Sequence, residues 1–186
     1  MAKSRCYERV YHLAKLIPRD FKCSIILDFG CGDGTITNNL KNILSEKYNI
    51  SVDIVYGLDI IPADIINFVP SFDQVENDSV ELVTCFMTLH HLEDLSGGLS
   101  DIKRILKDDG LLFIREHDVS PKNDQLKEFL VNKHLKYNDV YQNYYSKDEL
   151  ISRLESFGFE HLADSIYTPG TSNPQHIYHS MFKLHK

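Results

Sequence analysis

The sequence predicts an α/β fold in which a mostly parallel sheet carries helices on both faces. Apolar runs of strand length alternate with helical patterns over most of the chain, which is typical of parallel sheets with crossover helices. The run at 23–29 leads through a glycine-rich turn into a helical pattern at 35–47, and the next run, 52–59, ends on an acid. We expect seven strands in all. The last one should be antiparallel, because the final two strands follow each other as a hairpin.

The first segment, 1–20, predicts an N-terminal helix. Apolar residues recur at helical spacing from Val10 to Ile17. Pro18 ends this helix, because the residue before a proline is disfavoured in the helical conformation. We expect the helix to pack across the sheet edge or to lie over the cleft at the glycine-rich turn.

The region between the second and fourth strands is shortened. Only 20 residues lie between Asp59 and Val80, too few for a full helix and a third strand of ordinary length. A proline near the start of 62–68 is compatible with a helix N-terminus. We therefore predict at most two helical turns at 62–68 and a vestigial third strand.

The second half of the chain continues the alternation. The predicted elements are, in order, a strand at 79–86, a helix at 92–106, a turn at 108–110, a central strand at 111–114, a helix at 146–157 and strands at 159–167 and 176–184. Ser146 and Glu149 have the spacing of a capping box, and Gly158 provides a helix stop. The polar and aromatic segment 118–146 predicts a substrate-side insertion or lid, and 168–174 predicts the hairpin loop.

Composition indicates one ordinary globular domain that spans 1–186. Hydrophobic residues make up 42% and charged residues 25% of a chain large enough to bury a substantial core. The net charge of −7 argues against bulk electrostatic binding of nucleic acid. No apolar run reaches membrane-spanning length, and the four cysteines show neither a zinc-type spacing nor a disulfide framework. We expect a cytoplasmic protein that is not bound to a membrane and has no metal site.

The stretch 28–34, DFGCGDG, places glycines at every second position between a strand and a helix start. Glycine accepts positive φ and lets a ligand approach bare backbone, and a helix start offers unpaired amides. A dinucleotide site requires its third glycine at the position of Thr35, so a nicotinamide-dependent oxidoreductase is disfavoured. The carboxylate of Asp28 would repel a diphosphate but could receive an ammonium group.

This stretch resembles motif I of the class I S-adenosylmethionine-dependent methyltransferases, and the resemblance extends over about 23–184. It implies a Rossmann-like sheet and implies S-adenosylmethionine as the cofactor, with S-adenosylhomocysteine as its product. The residues that the resemblance places at the cofactor are Asp28, Gly30, Gly32, Asp59, Ile60, Ser71, Phe72, Phe86 and Met87. Asp59 stands where a ribose diol binds at the carboxyl end of a strand. The shortened region makes this sequence depart from the family pattern around Phe72, at the expected adenine site.

Polar residues after the fourth and central strands are the candidates for catalysis. His90 could act as a general base because imidazole titrates near neutrality, whereas we expect His91 to be structural. Glu116 and His117 end the central strand beside the expected methyl position. Strand alternation places Arg115 and His117 on one side and Glu116 on the other. The structural alternatives are a histidine that packs under the next helix and an Arg–Glu pair that holds the lid.

The resemblance implies transfer of a methyl group to an oxygen or nitrogen nucleophile of a small molecule or an RNA, including an RNA cap. The Lys-Asp-Lys-Glu tetrad and the N/D-P-P-Y/F motif of two methyltransferase subclasses are absent. Tyrosines within 137–145 could stack a planar acceptor or pack as a lid. The competing interpretation is a regulatory module that binds the cofactor and catalyses nothing.

Overall fold

A computed structural model describes residues 2–120, 122–135, 142–165 and 175–186. Its helices and strands are, in chain order, α1 (Ala2–Leu16), β1 (Ile25–Phe29), α2 (Thr37–Tyr48), β2 (Ile54–Leu58), β3 (Phe68–Val69), β4 (Val80–Phe86), α3 (Leu95–Ile105), β5 (Leu106–His117), α4 (Asp124–Leu135), α5 (Lys147–Ser156), β6 (Phe159–Ser165) and β7 (Ile177–Leu184). Single 3₁₀ turns at Phe72–Gln74 and Leu89–His91 precede β4 and α3.

The seven strands form one mixed sheet in the order β3-β2-β1-β4-β5-β7-β6. All pairings are parallel except those of β7, which runs antiparallel to both β5 and β6. The predicted fold class is therefore confirmed. The chain order reverses between β1 and β4, and ligands of open α/β sheets bind at such a reversal, outside the carboxyl ends of the strands. Phe29, the last residue of β1, pairs with Leu58 on one side and Cys85 on the other.

Helices cover both faces of the sheet, as expected. On one face α1 and α2 bury apolar side chains such as Leu13 and Leu40 against the sheet. On the other face α3 and α5 do so through Leu99 and Leu154. Each fully buried leucine contributes roughly 1.5–3 kcal/mol of transfer free energy. These two layers fix the position of the strand ends at which the candidate site lies.

The link from β2 to β4 differs in part from its prediction. The expected helical turns at 62–68 are absent, although the third strand is vestigial as predicted, with two residues. The side chain of Ile65 lies over two glycines, and a Cβ added at Gly34 or Gly57 would come within 2.2 Å of it. The Asn67 carbonyl accepts a hydrogen bond from the Gly57 amide at 3.0 Å. These contacts hold the segment against the sheet edge.

The turn predicted at 108–110 is wrong, because these residues lie within β5. The pairing of β5 with β4 shifts between Val80, which faces Leu106, and the next pair, Leu82 with Leu111. The intervening residues therefore form a bulge, in which Asp109 has a φ of 61°. Residues 108–110 thus interrupt the regular pairing of β5 with β4, while β5 itself continues through them.

The lid region contains a helix that the sequence did not predict. α4 occupies part of 118–146 and packs through Leu126 and Leu130 against Val119. One of the two hydrogen bonds of the predicted capping box is confirmed, since Ser146 Oγ accepts a hydrogen bond from the Glu149 amide at 3.3 Å. Ser146 is thus the N-cap residue of α5. The loop expected at 168–174, and Tyr137 and Tyr141 of the aromatic segment, lie outside the described residues.

Within the described part of the chain, none of the helices is both long enough and apolar enough to cross a membrane.

Candidate functional site

The glycine turn after β1 contains three glycines with positive φ, Gly30, Gly32 and Gly34, and the first two differ in their surroundings. Gly30 has a φ of 74° and donates its amide to the Leu58 carbonyl at 2.8 Å, which ties the turn to the end of β2. A Cβ at Gly30 would lie 2.3 Å from the hydroxyl oxygen of Thr88. Gly32 has a φ of 56°, and a Cβ there would meet no atom within 4 Å. Packing thus requires Gly30, whereas Gly32 faces open space that a ligand can enter.

Asp28 lies directly beneath this turn with 1% of its surface exposed. Its carboxylate accepts hydrogen bonds from Thr37 Oγ1 at 2.6 Å and from Thr84 Oγ1 at 2.9 Å. Burial raises the pKa of Asp28 to about 6, and the two hydroxyls oppose that shift. The acid therefore joins β1 to α2 and β4, and its expected contact with an ammonium group stays a prediction.

Asp59 closes the turn from the side of β2. Its Oδ2 accepts the Gly32 amide at 2.8 Å, and its Oδ1 accepts the Ile61 amide at 3.1 Å. The side chain belongs to a half-buried residue at the carboxyl edge of the sheet. The structure thus brings the two parts of the predicted cofactor site, the glycine turn and the strand-end acid, into direct contact.

Two cavities flank the end of β1. The first, of about 480 Å³, is lined by Asp28, Gly30, Gly32 and Phe86 among others, and by Arg9 of α1. The N-terminal helix therefore lies over the cleft, one of the two positions expected for it. Arg9 was missed by the sequence interpretation, because nothing in the local pattern of an amphipathic helix distinguishes a cation that lines a cleft.

The second cavity, of about 360 Å³, gathers the predicted adenine-side residues. Ile60, Ser71 and Phe72 line it together with Phe29. The rings of Phe29 and Phe72 meet edge to face with centroids 4.8 Å apart, while Ile60 is 94% exposed. Met87 is outside the linings of both cavities, and its amide donates to the Arg115 carbonyl at 2.8 Å.

A further cavity of about 560 Å³ lies at the opposite, amino edge of the sheet, with Phe21, Ser24 and Ser51 in its lining. Ligands of open α/β sheets bind outside the carboxyl ends of the strands. We therefore assign the candidate site to the carboxyl edge, where the predicted site residues lie.

Glu116 is the centre of a buried hydrogen-bond cluster at the ends of β4 and β5. Its Oε1 accepts the amides of Thr88 and Leu89 at 2.9 and 2.7 Å, and its Oε2 contacts His90 Nδ1 at 2.6 Å. Burial alone would raise the pKa of Glu116, but His90, His117 and the Leu89 amide together hold it below its ordinary value. Both carboxylate oxygens thus position the loop that follows β4.

His117 and His90 lie side by side, with ring centroids 5.4 Å apart. His117 Nδ1 contacts the Gln175 carbonyl at 2.8 Å, and burial lowers the pKa of His117 to about 4. Glu116 and His117 both lie close to His90 at the strand end, and their placement on opposite sides of the strand stays a prediction. Arg115 lies 3.8 Å from Glu8 of α1, so this Arg–Glu pair joins the strand end to α1 and does not include the lid segment 118–146.

Comparison with protein families gives a match over most of the chain. The profile of a family described as "Methyltransferase domain" matches residues 5–163.

Two curated relatives also match the chain. An uncharacterized protein, MJ0906 from Methanocaldococcus jannaschii, is 24% identical over 84% of this chain and 46% of its own length. The mitochondrial arginine-hydroxylase NDUFAF5 of Danio rerio is 29% identical over 58% of this chain and 33% of its own. The chain therefore spans less than half the length of these relatives.

Solved structures share the whole architecture at low identity. A chain from a complex between the Haloferax volcanii Trm112 methyltransferase activator and a proposed methyltransferase superposes with a TM-score of 0.72, at 14% identity over 99% of this chain and 91% of that one. An S-adenosylmethionine-dependent methyltransferase from Aquifex aeolicus gives a TM-score of 0.62, at 16% identity over 96% and 89% of the two chains. These similarities support the fold.

Proposed function

The chain belongs to the methyltransferase-domain family of class I, S-adenosylmethionine-dependent enzymes, and we propose that it methylates an oxygen or nitrogen nucleophile of a small molecule or an RNA. The observation that carries the proposal is the contact between the glycine turn and the strand-end acid, Gly32 to Asp59, at the mouth of a cleft. When bound, S-adenosylmethionine supplies a methyl group on a positively charged sulfonium. The leaving group then departs as a neutral thioether. The protein therefore needs to position the acceptor and exclude water more than it needs a covalent intermediate.

The residues around the cleft fit such a cofactor. The open space at Gly32 accommodates a ligand against the backbone, and the two cavities on either side of β1 extend from it. We propose that Asp59 takes the ribose diol and that Ile60, Ser71 and Phe72 contact the adenine. Gly30, Gly32, Asp28 and Phe86, which line the first cavity, would lie along the methionine part, with Met87 next to Phe86 after β4.

Arg9 extends this assignment. Its side chain belongs to the lining of the same cavity as Gly32, and a guanidinium is well suited to a carboxylate. We propose that Arg9 pairs with the carboxylate of the cofactor's methionine part. α1 would then take part in cofactor binding and cover the cleft.

The buried polar cluster at the ends of β4 and β5 is the proposed acceptor side. His90 Nε2 and His117 Nε2 are buried atoms without a hydrogen-bond partner among the described residues. Either imidazole can take a proton from an acceptor hydroxyl or amine, a contribution of about 10²–10⁴-fold where it is needed. Glu116 would act as a positioning residue that fixes the ring of His90, because all of its bonds go to the loop after β4.

Calorimetric titration with S-adenosylhomocysteine tests the cofactor site, with Gly32→Ala as the diagnostic variant. The new methyl group enters open space, so we expect the protein to fold and its affinity to fall at least about 10-fold, a loss of about 1.4 kcal/mol. Gly158→Ala is the matched control, since Gly158 also has a positive φ, 92°, and lies at the end of α5. Equal affinity in the wild type and in Gly32→Ala would contradict the proposed position.

The competing proposal is a module that binds the cofactor and transfers nothing. Screening small molecules and capped RNA for methylated product separates the two, because both bind S-adenosylhomocysteine and only the enzyme forms product. We also propose a cytoplasmic location, supported by four buried cysteines that form no disulfide, as is usual in a reducing compartment.

A further inference from the structure

We propose that His90, His91 and His134 bind one divalent transition-metal ion of the Zn²⁺ type. One ring nitrogen from each histidine lies within 4.8 Å of the other two. Nitrogens that share a tetrahedral zinc ion at 2.0–2.1 Å are about 3.3 Å apart, so a small closure of the three rings forms the site. The inference concerns metal binding alone and does not depend on methyl transfer, and an ion on His90 Nε2 leaves His117 Nε2 as the proton acceptor of the proposed function.

His90 is oriented as a metal ligand would be. It is 3% exposed, and its Nδ1 is held by the Glu116 carboxylate at 2.6 Å. Its Nε2, on the other edge of the ring, is buried and has no hydrogen-bond partner among the described residues. Metal-bound histidines usually donate their second nitrogen to a carboxylate or carbonyl, which fixes the ring and the tautomer. A buried, unpartnered nitrogen also needs an explanation such as a bound ion.

His134 is held in a similar way from α4. It is a buried residue whose Nδ1 contacts the hydroxyl of Tyr144. The three rings are inclined to one another, His90 to His91 by 42°, His90 to His134 by 38° and His91 to His134 by 80°. Inclined rings allow their nitrogen lone pairs to converge on one point.

A second group of possible ligands, Glu8, His12 and His179, lacks this property. The rings of His12 and His179 are stacked at 3.9 Å with an interplanar angle of only 10°. Lone pairs lie in the ring planes, so those of two parallel stacked rings do not converge. His12 Nδ1 is also engaged by Ser165 Oγ at 2.7 Å. The structure therefore favours the cluster at His90.

The chemistry of the donors selects the class of metal. Three imidazoles suit Zn²⁺, Co²⁺, Ni²⁺ or Cu²⁺, whereas Mg²⁺ and Ca²⁺ prefer oxygen ligands. Three protein ligands leave a fourth position for water or a ligand, as in zinc sites that are not purely structural. His91 is half-buried, so an ion can enter from its side. The sequence predicts no such site, because 42 residues lie between His91 and His134.

The test is titration of the tag-free, chelator-treated protein with Co²⁺, followed by visible absorption, and competition with Zn²⁺. We expect one equivalent to bind, and His91→Ala and His134→Ala to abolish binding. Glu116→Gln keeps all three ligands but weakens the support of His90, so the affinity should fall roughly 10–100-fold. His185→Ala is the matched control, since His185 is an exposed histidine paired with Glu160 on another part of the surface.

Three results would overturn the inference. They are the absence of a one-equivalent complex in the wild type, undiminished binding in His91→Ala, and loss of binding in His12→Ala while His91→Ala still binds. Circular dichroism shows whether each variant is folded. His91→Gln serves if His91→Ala is not, because it keeps the size of a side chain that is only half-buried.

Discussion

The backbone amide of Gly32 donates a hydrogen bond of 2.8 Å to Oδ2 of Asp59. This bond joins the glycine turn after β1 to the end of β2, and the Ile61 amide holds the other oxygen of the same carboxylate. The protein's own backbone thus places the acid at the mouth of the cleft. A preorganised acceptor loses less conformational freedom when a ligand binds, so it gains affinity.

We expect Asp59→Asn to lower the affinity for S-adenosylhomocysteine roughly 10–100-fold. Hydrogen bonds from the ribose hydroxyls to a charged carboxylate contribute about 1.5–3 kcal/mol, and asparagine replaces them with weaker neutral bonds. The fold should persist, because the asparagine oxygen can still accept the Gly32 amide. Calorimetry measures the affinity, and urea unfolding measures the stability.

Asp53→Asn is the control for this prediction, since Asp53 is an exposed acid just before β2, at the opposite edge of the sheet. The affinity of Asp53→Asn for S-adenosylhomocysteine should equal that of the wild type. If Asp59→Asn binds as tightly as Asp53→Asn does, the ribose assignment is wrong.

Two alanine variants of the glycine turn should differ in stability. Gly30→Ala combines a positive φ with a Cβ 2.3 Å from Thr88 Oγ1, and we expect a loss of about 2–5 kcal/mol of unfolding free energy. Gly32→Ala has only the backbone cost of about 1–2 kcal/mol, because its Cβ enters open space. Urea unfolding of both variants measures these losses of unfolding free energy. Equal losses would contradict the packing role of Gly30.

The fold was predictable where burial follows the local pattern. The strands around the glycine turn and the start of α5 at Ser146 could be read from apolar runs and capping residues. The link through Ile65 could not, because its position depends on packing over Gly34 and Gly57, which belong to other elements of the fold. The α4 helix was missed because it buries few apolar residues, so its periodicity is weak.

The candidate site was predictable residue by residue but not in its connections. Glu116 and His90 were each singled out, yet 26 residues separate them, and only the folded sheet shows that they share a hydrogen bond. The same holds for Arg9, which reaches the cleft from a helix that precedes the glycine turn. Sequence spacing reports contacts along one element, whereas these contacts join different elements at the sheet edge.

Asp28 should make stability fall as the pH rises. Burial raises its pKa to about 6 in the folded protein, against about 3.9 in the unfolded chain. Between these values the folded state keeps a proton that the unfolded state has released, so the contribution of Asp28 is full below about pH 4 and lost as the pH passes 6. We expect the stability of Asp28→Asn relative to the wild type to rise by up to about 3 kcal/mol from pH 4 to pH 7.

Urea unfolding of both proteins at each pH measures this difference and cancels the titration of other groups. Thr37 and Thr84 remain in both, and their hydroxyls can serve either an asparagine or a protonated aspartic acid. A difference that stays constant with pH, or that falls, would show that Asp28 is not held in the protonated form by burial.

His179 should have the opposite effect on the acid side. It is fully buried against His12, and burial, with Arg115 and His12 adding to it, lowers its pKa to about 2, against about 6.5 in the unfolded chain. Below pH 6.5 the unfolded state therefore gains a proton that the folded state does not, and the stability that neutral His179 provides is lost as the pH falls. From pH 6.5 to pH 5 this loss is about 2 kcal/mol.

His179→Phe replaces the ring with one that does not titrate, so its stability should decline about 2 kcal/mol less over that interval than the wild type's. Urea unfolding at both pH values tests this, and an equal decline in His179→Phe would show that burial at this position does not control the acid response.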